Sequence, residues 1–175
     1  MAALNVKGNF VPQNHHKEIA QFLAEQTEGN PSVHEYKDND GRRPINVGCF
    51  GGTLFSTIGV SDISHNLPSA RFEFAAFGNS DWLPNSLVTS IYWLKERSIS
   101  NWPLVCEDAV KQNVKSKYRH MAFVSSSYKL ALSTGQNVQW LLGVSIPDSE
   151  IDSTFKQIEQ KAKELYPRWL FNENV

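Results

Sequence analysis

Apolar positions along this chain repeat at two spacings, and the changes from one to the other mark out its elements. In "NHHKEIAQFLAEQTEG", Ile19, Phe22 and Leu23 fall on one face of a 3.6-residue repeat that Gly29-Asn30-Pro31 ends, which predicts a short amphipathic helix. "VHEYKDNDGRRPINVGCF" alternates weakly on either side of Asp40-Gly41, and both of those residues tolerate positive φ, so two strands joined by a hairpin turn are expected. Gly48, Gly51 and Gly52 then suit a tight strand connection or a bulge. "GTLFSTIGV" is rich in residues that favour a pleated surface. "ARFEFAAF" sets Arg71 and Glu73 against Phe72 and Phe74, the period-two pattern of a strand with one wet face. Together these strands predict an antiparallel meander.

The second half turns helical first. Ser80-Asp81 can cap a helix in which Leu83, Leu87, Ile91 and Leu94 repeat at helical spacing, with one face against the sheet. Trp102-Pro103 interrupts this pattern, and "LVCEDAVKQNV" predicts another short helix. Between Tyr118 and Ser133 the apolar pieces "HMAFV" and "YKLAL" leave the type of structure open. "NVQWLLGVSI" places Val138, Trp140, Leu142 and Val144 on one face and Leu141 on the other, as in a central strand covered on both sides. Pro147 ends it. Asp148 or Ser149 is then expected to cap a last helix whose stripe is Ile151, Phe155, Ile158, Ala162 and Leu165. Strand runs precede the helices rather than alternating with them, which favours the α+β class: a mixed, largely antiparallel central sheet flanked by helices. The expectation is one domain over residues 1–175, with residues 1–12 loosely structured.

Composition narrows the function. The 175 residues can bury a sizeable core, and 41% hydrophobic with 20% charged residues is ordinary for a folded globular chain. With 17 basic against 18 acidic residues there is no excess positive charge for a phosphate backbone, and the one tight basic pair, Arg42-Arg43, lacks interleaved aromatics, so nucleic acid is not an expected partner. Cys49 and Cys106 are too few for a disulfide framework and are expected as reduced core thiols. The first residues lack the pattern of a secretory signal and no stretch is long enough for a membrane span, so the cytoplasm is the expected location and no membrane partner is expected.

Catalytic and metal motifs fit poorly. "SDISH" offers Ser61, Asp62 and His65, but a nucleophile elbow needs G-x-S-x-G before a helix, whereas this segment leads toward another strand; side chains organising a turn are the expected role. "GCFGGT" lacks the lysine of a phosphate loop. The five histidines (His15, His16, His34, His65 and His120) and the cysteines show no metal-ligand spacing, and the adjacent His15 and His16 are expected to point to different sides of a helix. "DNDG" is no calcium loop, because Tyr36 and Val47 would occupy its first and last ligand positions. No metal, cofactor or catalytic residue is therefore expected. Glu107-Asp108, and Arg71 with Glu73, are expected as surface or structural charges. Of the tryptophans, most suit the core, while Trp82 and Trp102 flank a helix and can rim a partner site.

The order of these pieces resembles the suppressor-of-fused-like domain family. The segments that carry the resemblance are "TLFSTIGVSD", "RFEFAAF", "NWPL" and "WLLGVSIPDSEIDSTF", within a span from about Val33 to Leu165. The resemblance implies a protein-binding domain without catalytic machinery. Its short length is similar to bacterial stand-alone members, and this implies an immunity protein that neutralises a polymorphic toxin encoded nearby. On this reading Asp62, Ser64 and His65 lie near a strand edge as partner-binding candidates, together with Trp82, Trp102, Glu107 and Asp108. The alternatives are a regulatory adaptor for a non-toxin partner and a small hydrolase with a cleft near Asp62 and His65, with Glu107 as a further acid.

Overall fold

The computed structural model describes residues 5–7, 11–37, 44–63, 71–95, 103–110 and 116–171. Its frame is one eight-stranded sheet. Strand β1 (Asn5–Lys7), within the stretch expected to be loosely structured, lies at one edge and runs parallel to β2 (Ser32–Tyr36). The meander follows as expected: β2, β3 (Ile45–Phe50), β4 (Leu54–Ile58) and β5 (Arg71–Phe77) pair antiparallel in succession. Gly51 and Gly52, at φ of 55° and 72°, take the left-handed backbone that the tight β3–β4 turn requires. The Asp40-Gly41 turn lies outside the described residues.

Beyond β5 the chain order breaks. Strand β8 (Asn137–Ile146) inserts parallel to β5, then β7 (His120–Ala131) and the short edge strand β6 (Leu104–Cys106) follow antiparallel. The sheet is thus mixed and largely antiparallel, as the sequence predicts for an α+β fold, and "NVQWLLGVSI" is a central strand.

Helices cover both faces. On one, α1 (Asn14–Glu25), α3 (Phe155–Leu165) and the 3-10 turn Arg168–Phe171 bury Ile19, Leu23, Ile158 and Leu170 against Phe50, Leu54, Trp140 and Leu142. On the other, α2 (Leu83–Lys95) lays Leu83, Leu87, Ile91 and Leu94 over Val47, Phe72, Phe74, Phe123 and Leu141. Because successive side chains of a strand point to opposite faces, β5 and β8, covered by helices on both sides, bury residues on both. The Trp140 indole N–H reaches a partner inside the core, donating to Ser56 Oγ at 3.0 Å. Among the described residues no helix is long and apolar enough to cross a membrane.

Several expectations are corrected. Glu73 does not face water: it is fully buried on the α1 side of β5, so that strand has no wet face and only Arg71 is exposed. The described part of "LVCEDAVKQNV" is not helical, because Leu104–Cys106 pair with Met121–Phe123 as β6 and Glu107–Val110 form turns. The open segment after Tyr118 is a single long strand, with a register irregularity between Ser125 and Lys129. The last helix begins later than expected. Asp148–Glu150 form a 3-10 turn, and Thr154 caps α3 by accepting the Gln157 N–H while Gln157 Oε1 accepts the Thr154 N–H. Its stripe narrows to Ile158 and Ala162, leaving Phe155 and Leu165 exposed. Cys106 is buried, whereas Cys49 is only partly so.

Candidate functional site

The segment after β4 is organised from inside the protein. Glu73 collects five hydrogen bonds there: hydroxyls of Thr57 and Ser61, and the backbone N–H groups of Gly59, Val60 and Ser61. Burial holds the Glu73 carboxyl above its ordinary range, opposed in part by the hydroxyl and amide donors, which favour the ionised form. All five partners donate, so the ring is built for a carboxylate. It folds Val60–Asp62 into a 3-10 turn, with Gly59 entering at φ of 90°.

That turn presents Asp62 to the first turn of α1. His16 Nε2 lies 2.7 Å from Asp62 Oδ2, and His15 Nε2 lies 2.9 and 3.0 Å from Oδ2 and Oδ1. Arg71 Nη1 approaches Oδ1 at 3.6 Å. Partial burial works to raise the Asp62 carboxyl, but hydrogen bonds from both histidines hold it below the ordinary range. This overturns the expectation that adjacent histidines diverge. The helix separates them by about 100°, yet Asp62 sits between them and the two rings lean together, with centroids 4.2 Å apart.

A second network ties the turn after β6 to the end of β8. Asp108, at φ of 59°, donates its N–H to His120 Nδ1 at 3.1 Å; His120 Nε2 meets Asp148 Oδ1 at 2.7 Å, and Arg119 pairs with both Asp108 and Asp148. The His120 hydrogen bond, opposed by burial and helped by Arg119, holds the Asp148 carboxyl below its ordinary value.

A cleft of about 350 Å³ opens between the start of α2, the ends of β5 and β8, and α3. Phe77, Trp82, Leu83, Tyr118, Val144 and Leu165 form its apolar wall, with Trp82 and Tyr118 ring centroids 6.5 Å apart. Asn79, Ser80, Ser145, Lys161 and Glu164 supply its polar rim. Lys161 is paired with Glu150, so the rim offers mainly neutral groups and an acidic one.

Of the sequence-derived candidates, Trp82 lines this cleft, Asp62 binds the two histidines, Asp108 belongs to the His120 network, and Glu107 is an exposed turn residue. Ser64, His65 and Trp102 lie outside the described residues. The structure does not bring the others together. Strands β4 and β6 are separated by β5, β8 and β7, which places Asp62 and Glu107 at least about 15 Å apart across the sheet. Sequence reasoning set His15 and His16 aside as ligands, read Glu73 as a surface or structural charge, and did not single out Tyr118. The one available signal was the short distance between a buried-strand pattern and its odd acidic residue in "RFEFAAF".

No family model matches the chain, and no curated protein matches it. Solved structures similar to it include the following two. One is described as the crystal structure of Drosophila Suppressor of Fused, with a TM-score of 0.42 and 11% identity over 70% of this chain and 34% of that one. The other is described as the Sufu-Fu complex crystal structure, with a TM-score of 0.43 and 12% identity over 74% of this chain and 64% of that one. The chain spans about a third of the first and just under two thirds of the second.

Proposed function

We propose that this chain is a protein-binding domain, without turnover of its own, whose docking site is the Trp82 cleft. The supporting observation is the cleft's composition: a half-buried tryptophan and tyrosine beside an exposed Leu165, inside a rim of Asn79, Ser80, Ser145 and Glu164. Aromatic anchors surrounded by polar groups are the usual make-up of binding hot spots. The occupant that fits is an apolar side chain of a partner protein, flanked by hydrogen-bond donors that the rim oxygens can accept.

The finer reading is an immunity protein acting in the cytoplasm on a toxin encoded nearby, and its support is the order of sequence motifs. Co-expression with the product of the neighbouring gene tests it. A stable complex that restores growth is the expected result. A folded chain that neither binds nor rescues overturns the immunity reading. No observation favours the hydrolase alternative, because the histidines that reach Asp62 are His15 and His16 and no nucleophile accompanies them among the described contacts.

A further inference from the structure

We propose that His15, His16 and Asp62 form a binding site for a divalent first-row transition ion of the zinc class, a site independent of the Trp82 cleft. Each residue offers one ligand atom, and the three lie within 4.8 Å of one another. Two imidazole nitrogens with one carboxylate oxygen suit zinc, cobalt, nickel or copper better than magnesium or calcium, which favour all-oxygen surroundings.

The present Nε2 to Oδ2 separations of 2.7 and 2.9 Å are hydrogen-bond lengths. A tetrahedral ion held at about 2.0–2.1 Å spaces its ligand atoms about 3.3 Å apart, so each histidine must draw back from Asp62 Oδ2 by roughly half an ångström for it to enter. The ligands come from two elements, and the turn that carries Asp62 is locked by Glu73. The His15 and Asp62 side chains are 15% and 21% exposed, which leaves a coordination position toward solvent, as in three-ligand zinc sites. Gly59 leaves room beside the ligating edge of the buried His16, where a Cβ would stand 2.8 Å from Nε2.

Two features oppose the ion and set its affinity. Arg71 Nη1 lies 3.6 Å from Asp62 Oδ1, a like charge beside the site. His16 Nδ1 accepts the Gln13 N–H at 3.2 Å, which places the ring proton on Nε2. Coordination through Nε2 moves that proton to Nδ1 and breaks the Gln13 bond. Metal uptake is thereby coupled to the cap of α1, and the site is weaker than it would be without that bond.

Titration of the tag-free protein with Co²⁺, read by visible absorption and followed by displacement with Zn²⁺, tests the site. The expected result is one ion per chain, displaced by Zn²⁺ but not by Mg²⁺, with uptake lost in His15→Ala and in Asp62→Asn. Gln13→Pro is the informative variant, because Gln13 has φ of -74°, close to proline's own. It removes the competing N–H and keeps all three ligands, so it should tighten binding about five- to tenfold, an outcome that unfolding cannot mimic. Absence of saturable cobalt absorption, absorption unchanged in His15→Ala, or a Gln13→Pro variant that binds no more tightly would each overturn the proposal.

Discussion

Glu73 shows how one side chain sets a loop from within. A neutral amide at this position would aim an NH₂ group at donors that need an acceptor, and Thr57 Oγ1 is already held by the Phe74 N–H at 2.8 Å. Glu73→Gln is therefore expected to lose about 3 kcal/mol of stability, measured by chemical denaturation; a loss within a few tenths would contradict the donor ring. Asp62 gives the pH counterpart. Its folded carboxyl is held below the unfolded value of about 3.9, so its contribution is fully present above that pH and lost as pH falls through the lower folded value. The stability gap between wild type and Asp62→Asn should close below about pH 4, and a gap that persists through strong acid would remove the histidine pairing. Neither residue's role was legible in the sequence. Strand alternation marks Glu73 as polar and hence outward, and only the donors of β4 and the turn that follows β4 explain its burial. His15 and His16 diverge by helix geometry alone, and their convergence depends on a carboxylate some 46 residues away.

At the scale of elements, legibility followed how long each pattern ran. Helix α2 and strands β4, β5 and β8 carry several apolar residues in phase, and all formed where expected. Strand β7 was hidden because Ser125, Ser126 and Ser127 split its apolar run, yet the Ser126 and Ser127 hydroxyls bond the Leu170 and Phe171 carbonyls and so close the C-terminal turn over the strand. Strand β6 is three residues long, too short to show a period, and "EDAV" after it has helix-like composition that the backbone resolves as turns around a positive-φ Asp108. Ile151 joined the α3 stripe by spacing alone, although Thr154 starts the helix after it. The core assignment of β5 has a direct check. Phe74 is fully buried and meets the Phe123 ring edge-on at 5.4 Å, so Phe74→Ala should destabilise by about 3–5 kcal/mol in a denaturant melt. Near-normal stability would contradict the two-sided burial of that strand.

Over the whole molecule, three chemically different places stand out: the Asp62 cluster between α1 and the turn after β4, the His120 network near the β6 edge, and the Trp82 cleft between α2 and α3, whose Tyr118 and Ser145 adjoin that network. Composition and motif searches could weigh single stretches, but the cleft joins residues from four separate stretches of the chain, with Phe77 and Trp82 in one and Tyr118, Val144 and Leu165 in the others. Trp82 was legible as a helix-flanking aromatic, while Tyr118 and Leu165 gained meaning only once β7 and α3 were in place. The central claim is that this cleft holds a partner protein. The measurement that tests it most directly is calorimetric titration of the neighbouring gene's product into wild type and into Trp82→Ala, each first shown to be folded. The account predicts binding by wild type and a loss of about 2 kcal/mol or more, roughly thirtyfold in affinity, on truncating Trp82. Binding of equal strength by both would contradict it and move the interface away from the cleft.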